Sequence, residues 1–150
     1  MHKNHYGHLA IMTLFSFVAM FILMYSMVDR VANVYPNLNQ FFMAATMAAP
    51  MVIIELLIMR SMYPSMKTNL IYGGISLVAL IGFFVAIRAQ TAVGDVQFIK
   101  SMIPHHAGAI LMCDRAPIAN AELKMLCGEI VQGQRREIEQ MKQILAQLPK

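Results

Sequence analysis

Three long apolar runs, Leu9 to Val28, Phe41 to Met59 and Leu70 to Ile87, constrain this chain more than any other feature. Each approaches the roughly 20 residues that a helix needs to cross a hydrocarbon core. Glu55 is the only charged residue inside any of them. The whole chain is 58% hydrophobic and 13% charged, whereas a soluble domain is roughly a quarter charged. The first run exceeds the roughly 7–15 residues of a signal-peptide core and ends at no small-residue cleavage site, so it reads as a retained span.

After Arg88 the composition changes. Thr91 to Lys150 holds six of the eight acidic residues, which marks a water-facing module at 91–150 behind a membrane anchor at 1–90. About sixty residues is marginal for an independent core, so oligomerisation, metal or the anchor is expected to support it. Lysine and arginine beside a span tend to stay cytoplasmic. Lys3, Arg60 and Lys67 therefore belong inside, and Arg30 and Arg88 outside. That puts the N-terminus in the cytoplasm of a bacterial inner (plasma) membrane and the C-terminal module in the periplasm or outside the cell, where cysteines oxidise. The formal charge of +4 sits mostly beside the spans and makes no case for nucleic acid.

"RVANVYPNLNQ" and "RSMYPSMKTN" read as short connections between the spans. Pro50 is expected to kink the second span, and Gly73, Gly74 and Gly82 to permit close helix contact in the third. At the exit from the third span, Thr91 or Asp95 caps a new helix, unless the span continues outward. A helix over Asp95–Arg115 follows, distorted where Pro104 removes the bond to Lys100, and a second runs from about Ile118 to Leu148 with Ile130, Glu137, Met141, Ile144 and Leu148 on one stripe. The fold class is an all-α membrane protein: three transmembrane helices and an antiparallel helical hairpin.

The first of those two helices reads "DVQFIKSMIPHHAGAILMC". At about 100° per residue, Asp95, Phe98, Met102, His105, His106, Ala109 and Cys113 share one face, with Met112 at its edge. Gln134, Glu137 and Met141 form the stripe expected opposite. Thioether, thiolate and imidazole together favour copper, Cu(I) above all, while the imidazoles with Asp95 and Glu137 also suit Cu(II) or zinc. The spacing leaves the plainer alternative open, that these histidines pack in a core with ordinary hydrogen bonds.

That run, followed by "EIVQGQRREIEQMKQIL", resembles the domain-of-unknown-function 305 family. The family pattern is roughly Asp-x-x-Phe-x-x-x-Met-x-x-His-His-x-x-Ala-x-x-Met, then Gln-x-x-Glu-Ile-x-x-Met. Asp95, Phe98, Met102, His105, His106, Gly108, Ala109 and Met112 match its first half, and Ile130, Gln134, Glu137, Ile138 and Met141 its second. The likeness covers Asp95 to about Leu148 and none of the spans. It implies a helical, ferritin-like bundle and a copper-binding role linked to copper tolerance. Met102, His105, His106, Met112 and Met141 are then the leading ligands, with Asp95 and Glu137 binding the ion or supporting those that do. Cys113 departs from the pattern; its thiol either strengthens Cu(I) binding or pairs with Cys127. One hairpin is half of a four-helix bundle, so a homodimer is expected to complete it, with a shared site.

Methionines four apart, such as Met43, Met47 and Met51, also fit a copper conduit through the spans, although methionine is ordinary packing material there. Glu55 is a functional suspect or a locally paired carboxylate. His2, His5 and His8 are a second, looser histidine group at the N-terminus. No nucleophile elbow, phosphate loop or dinucleotide fingerprint occurs, and the Glu-x-x-His pairs of di-metal oxidases are missing, so an enzyme is not expected. The function read from the sequence is copper buffering, tolerance or hand-off by a membrane-anchored protein. The alternatives are an accessory subunit that uses the hairpin for assembly, and the conduit.

Overall fold

A computed structural model of the chain describes residues 5–149; the expectation for His2 lies outside them. Five α-helices follow one another: α1 (His5–Leu23), α2 (Leu38–Ile58), α3 (Met66–Arg88), α4 (Asp95–Arg115) and α5 (Ala121–Gln147). Short 3-10 turns stand at Met24–Met27, Val31–Asn33 and Arg60–Met62, and no strand occurs among the described residues. Three segments are long and apolar enough to cross a membrane: His5–Met27, Leu38–Ile58 and Met66–Arg88. The chain divides into two compact units, one of α1 with residues 39–91, the other of residues 25–38 with the chain from Ala92 onward.

In the first unit α2 supplies most of the buried residues, Ala44, Ala45, Ala48, Ala49, Val52 and Leu56, joined by Leu9, Tyr63 and Ser76. At one end Tyr6 lies 5.2 Å from Tyr63 and 5.6 Å from Tyr72, centroid to centroid. The Tyr6 hydroxyl donates to Asn69 Oδ1 at 2.8 Å. At the other end Phe41 meets Phe17 and Phe83 edge-on. Between these aromatic ends lies a cavity of about 490 Å³ walled largely by alanine and aliphatic side chains. Gly73, Gly74 and Gly82 do not make the helix contacts expected of them, because a Cβ at any of the three would meet nothing within 4 Å. The small residues that are buried in this unit are instead the alanines of α2. Glu55 accepts a hydrogen bond from the Tyr63 hydroxyl at 3.1 Å, so the carboxylate is locally paired. Burial first, then the bond to Glu55, pushes the Tyr63 hydroxyl above the ordinary tyrosine range.

The third span does not run on into α4. Gln90 and Ala92 take left-handed φ values of 50° and 58°, a conformation that costs an L-residue roughly 1–2 kcal/mol. Thr91 N–H bonds back to Ala86 O, and Gly94, not Thr91 or Asp95, is the N-cap of α4. Asn39 and Gln90 exchange two side-chain amide bonds of 3.1 Å beside this turn.

In the second unit α5 returns along α4. Ile99, Ile103, Ala107, Ile110 and Ile138 form the core, flanked by Val131, Met141, Leu145 and Leu148. Thus α4 matches its expected bounds, whereas α5 starts at Ala121 because Asn120 caps it, its side chain accepting from Leu123 N–H at 2.9 Å. The inward stripe of α5 is Val131, Ile138, Met141, Leu145 and Leu148, shifted from the expected one. Glu137 and Ile144 lie on its flank and are exposed. The expected simple connection around Arg30–Gln40 is also more than that, for Val28 and Tyr35 pack on the α4–α5 core.

Candidate metal centre

Pro104 has no N–H to give the carbonyl four residues earlier, so Lys100 O loses its usual helical donor. Asn37, 6% exposed, fills the gap: its Nδ2 donates to Lys100 O at 3.3 Å and to Tyr35 O at 2.9 Å. Next to it, Leu38 N–H donates to Gln97 Oε1 at 3.0 Å. The segment before α2 is thereby fastened to α4 one turn ahead of the histidines. Sequence reading missed this lock, although an i−4 carbonyl freed by a proline inside a helix was its signal.

His106 sits at the edge of the core stripe, 8% exposed. Its Nδ1 is 2.9 Å from Met102 O; a carbonyl only accepts, so Nδ1 carries a proton. The other nitrogen, Nε2, lies 2.7 Å from Glu137 Oε2 across the helix pair. The Glu137 side chain is 55% exposed, so solvent screens the contact and its worth is of the order of 1 kcal/mol or less. One turn before Glu137, Gln134 Oε1 is buried with no hydrogen-bond partner, which is costly for an acceptor unless a donor or cation reaches it.

The other expected ligands divide. Met102 and Met141 are half-buried, and Met141 packs on the α4–α5 core. His105 is exposed, its ring centroid 6.0 Å from that of His106. Met112 and Phe98 are 54% and 52% exposed. Asp95 lies eleven residues before His106, about 16 Å of helix rise, too far to join the same coordination sphere. Of the two alternatives for Cys113, the structure shows pairing: Cys113 and Cys127 form a disulfide with Cα atoms 5.4 Å apart, which leaves no thiolate. Among the described residues no three His, Cys, Asp or Glu side chains gather into a metal-holding group.

The converging donors are thus the His106 imidazole and the Glu137 carboxylate, with the orphaned Gln134 oxygen and the Met141 thioether on the same helix. An imidazole fixed by an Nδ1–H bond to a backbone carbonyl is arranged as metal-ligating histidines are. One imidazole nitrogen and one carboxylate are the donors that the structure brings together, a pair that suits a borderline cation better than a hard one such as magnesium.

Comparison with known proteins bears on the same segment. Residues 86–149 match the family model described as domain of unknown function (DUF305). An uncharacterized protein of Acanthamoeba polyphaga mimivirus is 30% identical over 138 residues, which span 90% of this chain and 89% of that protein. No solved structure matches the chain.

Proposed function

Since the chain belongs to one family with that mimivirus protein and carries a domain of unknown function 305, we propose that it is a membrane-anchored copper-binding protein. Its module buffers the ion or hands it on. The observation that carries this reading is the His106–Glu137 contact, with the imidazole oriented by Met102 O. His106 Nε2 and the Glu137 carboxylate would hold the ion, with Met141 and Gln134 one turn to either side of Glu137. Within one chain His105 is exposed, its ring edge-on to that of His106. Phe98, Met102, His105, Ala109 and Met112 repeat at four-three spacing along α4, the pattern of a helix seam, so a second chain docked there would complete a four-helix bundle and bring His105 into the ion's surroundings.

Three observations support the orientation, with the module outside an oxidising boundary and the N-terminus within. If each of the three apolar helices crosses, the α1–α2 connection and the module fall on one side, which agrees with those two segments forming one unit. The Cys113–Cys127 disulfide suits an oxidising compartment. Arg60 and Lys67 fall on the opposite side.

The test is competition titration of the full-length protein in detergent against a chromophoric copper chelator. His106→Ala is expected to weaken binding at least tenfold, and Glu137→Gln to weaken it less. Unchanged affinity and stoichiometry in both variants would refute the site. A second reading, assembly with a larger membrane complex, draws on the exposed Phe98, Met112, Leu123, Met125 and Leu126; copurification of a partner with the metal-free protein favours it. The conduit has less behind it, since no methionine lines the cavity between the spans and Met43 and Met47 are 45% and 50% exposed.

A further inference from the structure

We infer that Cys113 and Cys127 are a second, redox-gated metal site: reduced to a dithiol, the pair binds one soft cation between two thiolates, with Cu(I) as the probe. The inference does not depend on the His106–Glu137 reading. The two cysteines occupy facing turns of α4 and α5 close to the connection between them, and neither is buried. A cavity of about 460 Å³ opens beside the sulfur pair, bordered by Asp114, Lys124, Gln132 and Arg135. It gives a small dithiol access to the sulfurs and leaves room for an ion. Lys124 stands one turn before Cys127 on α5, where a cation favours the thiolate. No third cysteine exists in the chain to divert the exchange.

The backbone positions do not rest on the S–S bond alone. The cluster of Ile99, Ile103, Ala107, Ile110 and Ile138 and the His106–Glu137 contact tie α4 to α5 further along. With the Cα atoms held 5.4 Å apart, side-chain rotation suffices to open the sulfurs to the about 4–5 Å that two metal–sulfur bonds of about 2.3 Å require. Two thiolates favour a soft ion over a hard one, and the Asp114 carboxylate at the cavity edge already faces Arg135 at 3.5 Å.

The exchange balances as follows. One thiolate of an external dithiol attacks either Sγ, forming a mixed disulfide and releasing the other cysteine as a thiolate. The dithiol's second thiolate then attacks its own mixed-disulfide sulfur, freeing the remaining cysteine. Two electrons have passed to the protein, and the reductant leaves as a cyclic disulfide. Cu(I) then binds both sulfurs and displaces any proton still on them.

The experiment compares full-length protein in detergent, oxidised and anaerobically reduced with dithiothreitol followed by its removal, in Cu(I) titrations against bathocuproine disulfonate. Reduction is expected to add one equivalent of Cu(I) per chain, with a thiolate-to-copper charge-transfer band in the near ultraviolet. The added equivalent should persist in His106→Ala and vanish in the double variant Cys113→Ser, Cys127→Ser. A reduced protein that gains no equivalent, a gain that survives in the double serine variant, or loss of far-ultraviolet helicity on reduction would each overturn the proposal. Failure of His106→Ala to change binding by the oxidised protein would refute the other site and leave this one standing.

Discussion

Replacing Asn37 by alanine removes the donor that Pro104 makes necessary. In the wild type, Asn37 Nδ2 serves Tyr35 O at 2.9 Å and Lys100 O at 3.3 Å, from a side chain that is 6% exposed. Leaving a buried acceptor unsatisfied costs about 1–3 kcal/mol; the longer bond to Lys100 O belongs near the low end, and the two together give about 2–3 kcal/mol. Hydrogen exchange read by mass spectrometry then shows α4 amides around Lys100 exchanging about 30-fold faster or more, at about 1.4 kcal/mol per tenfold. Pro104→Ala supplies the discriminating half of the experiment, because an alanine N–H at 104 restores the helical bond to Lys100 O. In that background Asn37→Ala should cost about 1 kcal/mol less, a coupling readable from a double-mutant cycle. Equal costs of Asn37→Ala with and without the proline would refute the lock.

Other perturbations test the remaining packing claims. Ile103→Ala, at a side chain with no exposure, is expected to destabilise the α4–α5 pair by about 2–5 kcal/mol, seen as proteolytic cleavage between residues 95 and 147 while the spans stay protected. Ala92→Gly relieves the left-handed φ of 58°; set against the greater chain entropy of glycine, the net gain is up to about 1 kcal/mol, measured as a raised unfolding midpoint. Gly74→Ala leaves the midpoint unchanged or slightly higher, since the new Cβ meets nothing within 4 Å and alanine is the better helix former; a clear loss would show that this glycine does pack against a neighbour.

The spans and α4 are legible in the sequence for a simple reason: both signals are local. An apolar run reports a span by its length, and the acidic Asp95 and the apolar repeat through Ile110 mark α4 within its own residues, although sequence reading missed its cap at Gly94. The inward stripe of α5 is harder. Ile130, Glu137, Met141 and Ile144 and the observed Val131, Ile138, Met141 and Leu145 both recur at helical intervals, and only contact with Ile103 and Ile110 decides between them. The glycines of α3 mislead because small size permits close approach without requiring it. At the candidate site, His106 and Glu137 meet as the facing stripes suggest, whereas His105 turns outward because adjacent helix positions diverge by about 100°. The part of Asn37 is long-range, set by how a connection 63 residues away in sequence folds onto Lys100, and it is legible only through the proline that creates the need.

The central claim is that His106 and Glu137 hold copper between α4 and α5. X-ray absorption at the copper edge on the loaded full-length protein, with its disulfide intact, tests it most directly when wild type, His105→Ala and His106→Ala are compared. The account predicts imidazole scattering in the wild type that is lost or sharply reduced in His106→Ala, with oxygen or nitrogen and thioether sulfur in the remaining shell. Copper that keeps its full imidazole signal without His106, or that shows no imidazole in the wild type, would contradict it.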